Sequence, residues 1–407
     1  MRGFVFSFCW MFFGLGGALA QTEELMDALE QEGLQNLRVV QEPGHVYLVY
    51  ENNRFRYEAQ AMAFVLEQLA TYGAQMEGTE RSEVHLLVLQ RGVPMMVLHT
   101  GLEALVALVD GSSSYADWVA QADFSFEVEQ VHRKLKEAPR VNHAYRKVDL
   151  PLGVNFQYAM VGFVNPFASK INLQPELTSV LTKGLTFSAM YSIPVQNDLD
   201  IYNDPRMIIL RMSQDLRLWD DTFVNLNVGY FTRNRKGFLG SAHQYFFDEA
   251  LRLNMTYGFT DFGYIDTDLS PVFVDQNKEM YYGGFTYRNR KYHTDVDFRY
   301  GKFYLEDVGY RVSLIRQIDE IFIGFYIHKT EIGDDAGFEV QVPIGPRKHL
   351  KPMAVRPMVK EFFYLPYFYS GNGAAINYYA GENALLNIKE YYPSTLKRGL
   401  EKYLVRD

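Results

Sequence analysis

Leu251-Arg252-Leu253-Asn254-Met255-Thr256-Tyr257-Gly258-Phe259 is the stretch that decides the fold. Leu251, Leu253, Met255, Tyr257 and Phe259 alternate with Arg252, Asn254, Thr256 and Gly258. A period of two sorts residues onto opposite faces only in an extended strand. One face is apolar; the other is polar and carries an arginine. The pattern recurs on either side. From Phe223 to Arg233, Val224, Leu226, Val228 and Tyr230 oppose Asn225, Asn227, Gly229 and Arg233. Val308, Tyr310, Val312 and Leu314 alternate with Gly309, Arg311 and Ser313. Between Tyr292 and Phe303 the outer face reads Thr294, Val296, Phe298 and Tyr300, and the inner face His293, Asp295, Asp297, Arg299 and Gly301.

A soluble antiparallel sheet also alternates, so length and punctuation carry the next step. The strand candidates run about 9 to 12 residues, what a tilted strand needs to cross a bilayer. Tight turns at Thr182-Lys183-Gly184, Trp219-Asp220-Asp221, Phe247-Asp248-Glu249 and Gln317-Ile318-Asp319 alternate with longer, acidic connections. Those connections are Asn197 to Arg206, Thr260 to Met280 and Thr330 to Gly337. Short turns on one side and long loops on the other are the asymmetry of outer-membrane barrels. About twelve strands fit between Val154 and Pro346, an even number as closure in bacterial barrels usually requires. Closure matters because an open edge leaves unpaired backbone groups in hydrocarbon.

Lys or Arg on a lipid face costs about 2–4 kcal/mol at the midplane, whereas a lumen position tolerates it. Arg211, Asp215, Arg217, Arg252, Asp295, Asp297, Arg299 and Arg311 are therefore the expected lumen-facing residues. Their arginines either pair with the inward acids and fill a narrow barrel or attract an anionic polymer. Phe223, Phe231, Tyr326 and Phe322 either pack between strands or stack on sugar rings.

Residues from about 35 to 130 read differently, as alternating strands and helices. Val46 to Tyr50 is a strand closed by Glu51-Asn52-Asn53. Tyr57 to Tyr72 has helical spacing, with Ala61, Phe64, Val65, Leu69 and Tyr72 on one face. Val84 to Gln90 and Pro94 to His99 are partner strands turned at Arg91-Gly92, and Leu102 to Val109 is a second helix ending at Gly111. Such a segment is long enough for its own core. It has no G-x-G-x-x-G or Walker loop, so a nucleotide site finds no support. In the tail, Glu361 to Tyr369 reads as a strand that Pro366 demotes. Leu396, Leu400, Tyr403 and Leu404 form one face of a final amphipathic helix with Pro393 at its start. The last residues, Val405-Arg406-Asp407, lack the terminal aromatic that many bacterial barrels carry.

Met1-Arg2-Gly3, the apolar run Phe4 to Leu15 and the A-x-A site Ala18-Leu19-Ala20 read as a secretory signal cleaved near Ala20. Cys9, the only cysteine, lies inside it, so disulfides and thiolate metal sites are not expected. Beyond Ala20 no apolar run is long enough for a membrane helix. The net charge of −9 argues against nucleic acid as a partner. With 29 Tyr and 30 Phe against 3 Trp, the aromatics suit β structure with girdles. The expected fold class is a β-dominated α+β chain. Its expected parts are a signal peptide (1–20), a periplasmic α/β domain (21–135), a linker (136–150), an antiparallel outer-membrane β-barrel (151–347), and a tail (348–407) with a helix and room for extra strands.

Several stretches, in order, resemble the YjbH-like family of exopolysaccharide outer-membrane proteins, related to capsule proteins of the GfcD type. They are Tyr50-Glu51-Asn52-Asn53-Arg54-Phe55-Arg56, the Glu58–Tyr72 helix, Leu89-Gln90-Arg91-Gly92-Val93-Pro94 and Leu150-Pro151-Leu152-Gly153. Next come Leu181 to Phe187, Gly229-Tyr230-Phe231 through Gly237-Phe238-Leu239-Gly240, and Val308 to Leu314. The resemblance implies a periplasmic α/β domain beside a barrel and a part in exopolysaccharide secretion in a Gram-negative envelope. Larger members carry duplicated units; this chain has one. Ile332-Gly333-Asp334-Asp335-Ala336-Gly337-Phe338 matches the family's last-strand opener only in part.

Catalysis finds little foothold. Asp295 and Asp297 stand roughly 6–7 Å apart along a strand, a spacing that suits paired carboxylates in glycoside hydrolysis. A charge pair balanced by Arg299 is the simpler reading. The loop acids Asp198, Asp200, Asp204, Asp266, Asp268, Asp334 and Asp335 lack EF-hand spacing. The nine histidines, among them His45, His85, His99, His243 and His293, are scattered without H-E-x-x-H. There is no G-x-S-x-G elbow. The expectation is a non-catalytic barrel without metal or cofactor, in contact with outer-membrane lipid, exopolysaccharide and periplasmic export proteins. The alternatives are a porin-like structural barrel and a periplasmic carbohydrate-active enzyme.

Overall fold

Val46 to Tyr50 and their neighbours alternate around β-branched and aromatic residues, and they form the second strand of a five-stranded sheet. The computed structural model describes residues 21–73, 82–159, 168–199, 203–219, 221–247, 249–370 and 388–405. The expected signal peptide and Asp200, Asp220 and Asp248 lie outside them. A helix at 21–32 (α1) leads into β1 (Gln35–Glu42), β2 (His45–Glu51), α2 (Glu58–Gly73), β3 (Glu83–Gln90) and β4 (Val93–Gly101). α3 (Leu102–Val109), α4 (Tyr115–Gln121), β5 (Asp123–Ser125) and α5 (Glu129–Lys136) follow. The strands lie in the order β1-β2-β3-β4-β5, and β2 and β3 alone are parallel, because α2 carries the chain back between them. Both faces of the sheet are covered. Leu48, Leu86 and Leu98 are fully buried on one. On the other, Val49, Leu87, Leu89 and Val97 pack against Val128, Val131 and Leu135 at α5. Each such side chain contributes about 1.5–3 kcal/mol. Trp118 is completely buried and its indole N–H donates to Thr100 Oγ1 at 2.9 Å.

The last helix, α6 (Pro393–Leu404), belongs to this unit, as do Arg347–Pro352. Its Leu396 and Leu400 are fully buried, as the amphipathic reading requires. A Cβ on Gly399 would stand 2.4 Å from Ala59 Cβ, so α6 approaches α2 only because residue 399 is glycine. The tail read at 348–407 is thus not one segment: its ends join the N-terminal unit and its middle joins the second. No described helix is long and apolar enough to cross a membrane.

The second unit is one sheet. Twelve consecutive antiparallel strands begin with β6 (Val148–Ala159), β7 (Ala168–Thr182), β8 (Leu185–Asn197) and β9 (Arg206–Trp219). β10 (Thr222–Phe231), β11 (Arg235–Phe246), β12 (Leu251–Ile265) and β13 (Pro271–Asn289) come next. β14 (Thr294–Lys302), β15 (Val308–Ile318), β16 (Ile321–Thr330) and β17 (Asp334–Pro343) complete them. These match the twelve expected between Val154 and Pro346, and two more from the tail, β18 (Val355–Val359) and β19 (Phe362–Ser370), bring the sheet to 14 strands. Pro366 does not stop β19; it sits on the last strand of the ladder, opposite Glu339, where a missing N–H matters least. β18 runs parallel to β6 and β19 antiparallel to β17, so the ladder begins at β18 and ends at β19.

Two expected loops are strand. β12 and β13 continue past Thr260 as a long hairpin, with Ile265 opposite Pro271. The polar residues that suggested a loop are absorbed by an irregularity, where Asp261 accepts the N–H groups of Gln276 and Asn277. Asp334 and Asp335, read as loop, open β17.

Candidate functional site

Burial in the large sheet runs opposite to that of a water-soluble protein. In β12, Arg252, Asn254 and Thr256 are 8%, 7% and 6% exposed, whereas Leu253 and Met255 are 46% and 64% exposed. In β10 Asn225 and Asn227 are buried while Val228 is 56% exposed. Alternation dictates two faces; this packing buries the polar one.

Register then brings the polar side chains together. Tyr245, Arg252, Thr286, Asp297, Ser313 and Tyr326 lie directly opposite one another across β11 to β16. Thr286 Oγ1 is the hub of this row. It accepts from Arg252 and from Asn254 Nδ2, each at 2.9 Å, and donates to Asp297 Oδ2 at 2.7 Å. Arg299 Nε donates to Asp297 Oδ1 at 2.7 Å, and His243 Nδ1 meets Asn254 Oδ1 at 2.7 Å. A second group spans β9 and β10. Arg211 donates to Asn227 Oδ1 at 2.9 Å, Asn227 to Asn225 at 2.5 Å, and Asn225 to Asp215 at 2.6 Å. Gly229, at φ +143°, leaves the space beside Arg211: a Cβ there would lie 2.2 Å from Leu210 O.

All eight residues singled out in the sequence lie on this polar face. Arg211 and Asp215 are joined through the two asparagines, and Arg252, Asp297 and Arg299 meet at Thr286. Asp295 is held by Arg288 at 3.0 Å rather than by Arg299. Arg311 lies 4.1 Å over the Tyr326 ring and Arg217 lies 4.9 Å over Phe223. Phe223 and Tyr245 meet edge to face, while Phe231 packs with Met280. Phe322 meets Phe362 edge to face. Among the loop acids, Asp198 accepts from Gln196 at 3.1 Å and Asp268 from Ser270 Oγ at 2.5 Å. Asp297 and Asp295 are each engaged by a guanidinium, a state suited to neutralising charge rather than to exchanging protons.

Among the described residues of the large sheet, three buried cations escaped the sequence reading: Arg235, Arg288 and Arg356. Arg235 donates to Gln276 at 2.7 Å and to Thr260 Oγ1 at 3.2 Å. Arg288 shares its parity with Thr286, so counting by twos along β13 would have found it. Arg356 grips Asp149 with Nε at 2.7 Å and a terminal nitrogen at 2.8 Å. Lys360 passes over Gly153 to reach Glu176 at 3.2 Å.

The outward face is a field of apolar rows. Tyr287, Val296, Leu314, Phe325 and Phe338 are successive neighbours across β13 to β17. Phe338 stacks on Tyr367 of β19 at 5.1 Å, and Tyr367 stacks on Tyr158 of β6 at 5.7 Å. No protein-family model matches this chain, and no curated protein is similar to it.

Proposed function

We propose that the 14-stranded sheet closes into an outer-membrane β-barrel with a polar, side-chain-filled interior, and that the chain serves exopolysaccharide export or assembly without catalysing a reaction. The inverted alternation carries the barrel. A water-soluble protein rarely exposes a contiguous apolar patch beyond a few hundred Å², and here apolar rows cross strand after strand. Lipid is the solvent that suits them, and in lipid a sheet must close.

The closing element is the segment 355–370. Its first half pairs with β6 and its second half with β17, so it joins the two ends of the twelve-strand run. Lys360 N–H donates to Leu152 O, and Glu361 O accepts from Ile344 N–H, so the change of partner falls between adjacent residues. Counted as one strand, the segment makes an odd-numbered barrel. An odd antiparallel run can close only through one parallel pair, and β18 against β6 is that pair.

The polysaccharide role rests on the sequence resemblance, with the α/β unit on the periplasmic side engaging export proteins. The filled interior favours an assembly or gating part over the porin-like alternative, because guanidinium–carboxylate pairs occupy the space a diffusion channel needs. Fractionation with heat-modifiable gel migration tests the barrel: a soluble protein without a band shift refutes it. Secreted polymer in a deletion strain tests the role; unchanged polymer refutes it.

A further inference from the structure

The histidines that look scattered in the sequence converge in the N-terminal sheet. β2 and β3 run parallel with His45 opposite Glu83 and Tyr47 opposite His85, while β4 sets His99 opposite His85. His45, Glu83, His85 and His99 therefore share one face, at the end where β2 and β3 begin. The backbone fixes them there, since Glu83 N–H donates to Gly44 O at 2.9 Å. Tyr47 stacks on the His85 ring at 4.5 Å.

His45 Nδ1 lies 3.0 Å from His85 Nε2, and Glu83 Oε2 lies 3.7 and 3.8 Å from the same two nitrogens. These three atoms form a compact triangle, and the point equidistant from them is about 2.0 Å from each, inside the range of about 2.0–2.2 Å for zinc with nitrogen and carboxylate oxygen. The second nitrogen of His85, Nδ1, is 2.7 Å from His99 Nδ1. With His99 accepting, His85 carries its proton on Nδ1 and leaves the Nε2 lone pair for a metal. A ligating imidazole is ordinarily held by such a partner on its other nitrogen.

We propose that His45, Glu83 and His85 bind a divalent zinc-class cation, with His99 as the residue that orients His85. Two imidazoles and one carboxylate are a borderline donor set that favours zinc, copper or nickel over calcium or magnesium. Side chains of His45 and Glu83 are 43% and 51% exposed against 9% for His85. The site is thus reachable from solvent. This site stands apart from the barrel reading, and neither depends on the other.

The test uses the tag-free full chain in detergent micelles, stripped with a chelator and titrated with ZnCl2 by calorimetry, with Co2+ absorption reporting the coordination. The expected result is one saturable site per chain. Binding should weaken at least about 100-fold in His45→Ala and in Glu83→Ala, whose exposed side chains carry little packing. It should weaken about 10–100-fold in His99→Ala, the range for losing an orienting partner. Unaltered binding in His45→Ala and Glu83→Ala overturns the site. So does an absence of saturable binding, which would leave the histidines a hydrogen-bonded chain alone, or a preference for Ca2+ or Mg2+.

Discussion

The Tyr50 hydroxyl donates a 2.5 Å hydrogen bond to Oε1 of Glu58, with both residues buried at the junction of β2 and α2. Burial is the larger influence on Glu58 and lifts its carboxyl from 4.5 to about 7, against the pull of the Tyr50 hydrogen bond. Burial likewise raises Glu51. A carboxyl raised in the folded state binds its proton more tightly than in the unfolded chain. The N-terminal unit therefore has its full stability from this group below pH 4.5 and loses it as pH climbs through about 7, by on the order of 3 kcal/mol. Trp118 fluorescence during urea unfolding reports this unit once Trp10 and Trp219 are replaced by Phe. Glu58→Gln should flatten the decline between pH 5 and 7, leaving the part due to Glu51. An unchanged slope in Glu58→Gln would remove Glu58 as the cause.

The seam at β18 should set how firmly the proposed barrel holds together. Arg356 is bidentate on Asp149 and nearly buried, and bidentate guanidinium–carboxylate pairs are among the strongest polar contacts. Arg356→Ala is expected to cost on the order of 2 kcal/mol, since Asp149 retains some access to water. Lys360→Ala removes the ammonium that reaches Glu176, which is 5% exposed. Each variant should lower the temperature at which the fast-migrating folded band disappears, and the pair together should lower it further. A double variant as heat-resistant as the parent would show that closure does not run through this segment.

Inside the sheet, the cost of losing an acid should follow its burial. Asp297 is 4% exposed and pairs with Arg299, whose side chain is 33% exposed, beside buried Arg252, so Asp297→Ala should cost about 3 kcal/mol. Asp215, only half-buried, should cost less when changed to Ala. Asp297→Asn keeps the volume and the contact with Thr286 and should fall between them. Urea midpoints for unfolding of the large sheet in micelles give the order, and a larger loss at Asp215 than at Asp297 would contradict this polar network.

The alternation from Leu251 to Phe259 made the strand, its polar face and the inward Arg252 legible without any partner. What pairs with what was not legible, because it depends on register between strands. Asp295 meets Arg288 rather than its own-strand neighbour Arg299 because β13 sets Arg288 opposite it. Arg356 finds Asp149 across 207 positions of sequence. His45 and His85 meet only because α2 returns the chain so that β3 runs parallel to β2. The hairpin beyond Thr260 reads as a loop in the sequence because Asp275-Gln276-Asn277-Lys278 is polar on both faces, and only its pairing with β12 makes it strand.

The outward face offers the sharpest separation of lipid from water. Phe325, 58% exposed, lies between Leu314 and Phe338 in the middle of an apolar row. Were that face in water, Phe325→Arg would change stability by no more than about 0.5 kcal/mol. In a bilayer the same change costs about 2–4 kcal/mol near the midplane and about 0–1 near an interface. Phe273, 54% exposed, supplies the internal comparison. It sits in the β12–β13 hairpin under Lys236 Nζ, 3.6 Å from its ring, and Lys236 also approaches Asp261 and Asp275. Outward charges at that level mark the edge of the apolar band. Phe325→Arg should thus abolish or strongly reduce the heat-modifiable form in lipid vesicles while Phe273→Arg leaves it intact. Equal tolerance of both would mean that the apolar rows do not face hydrocarbon, and the barrel would have to be abandoned.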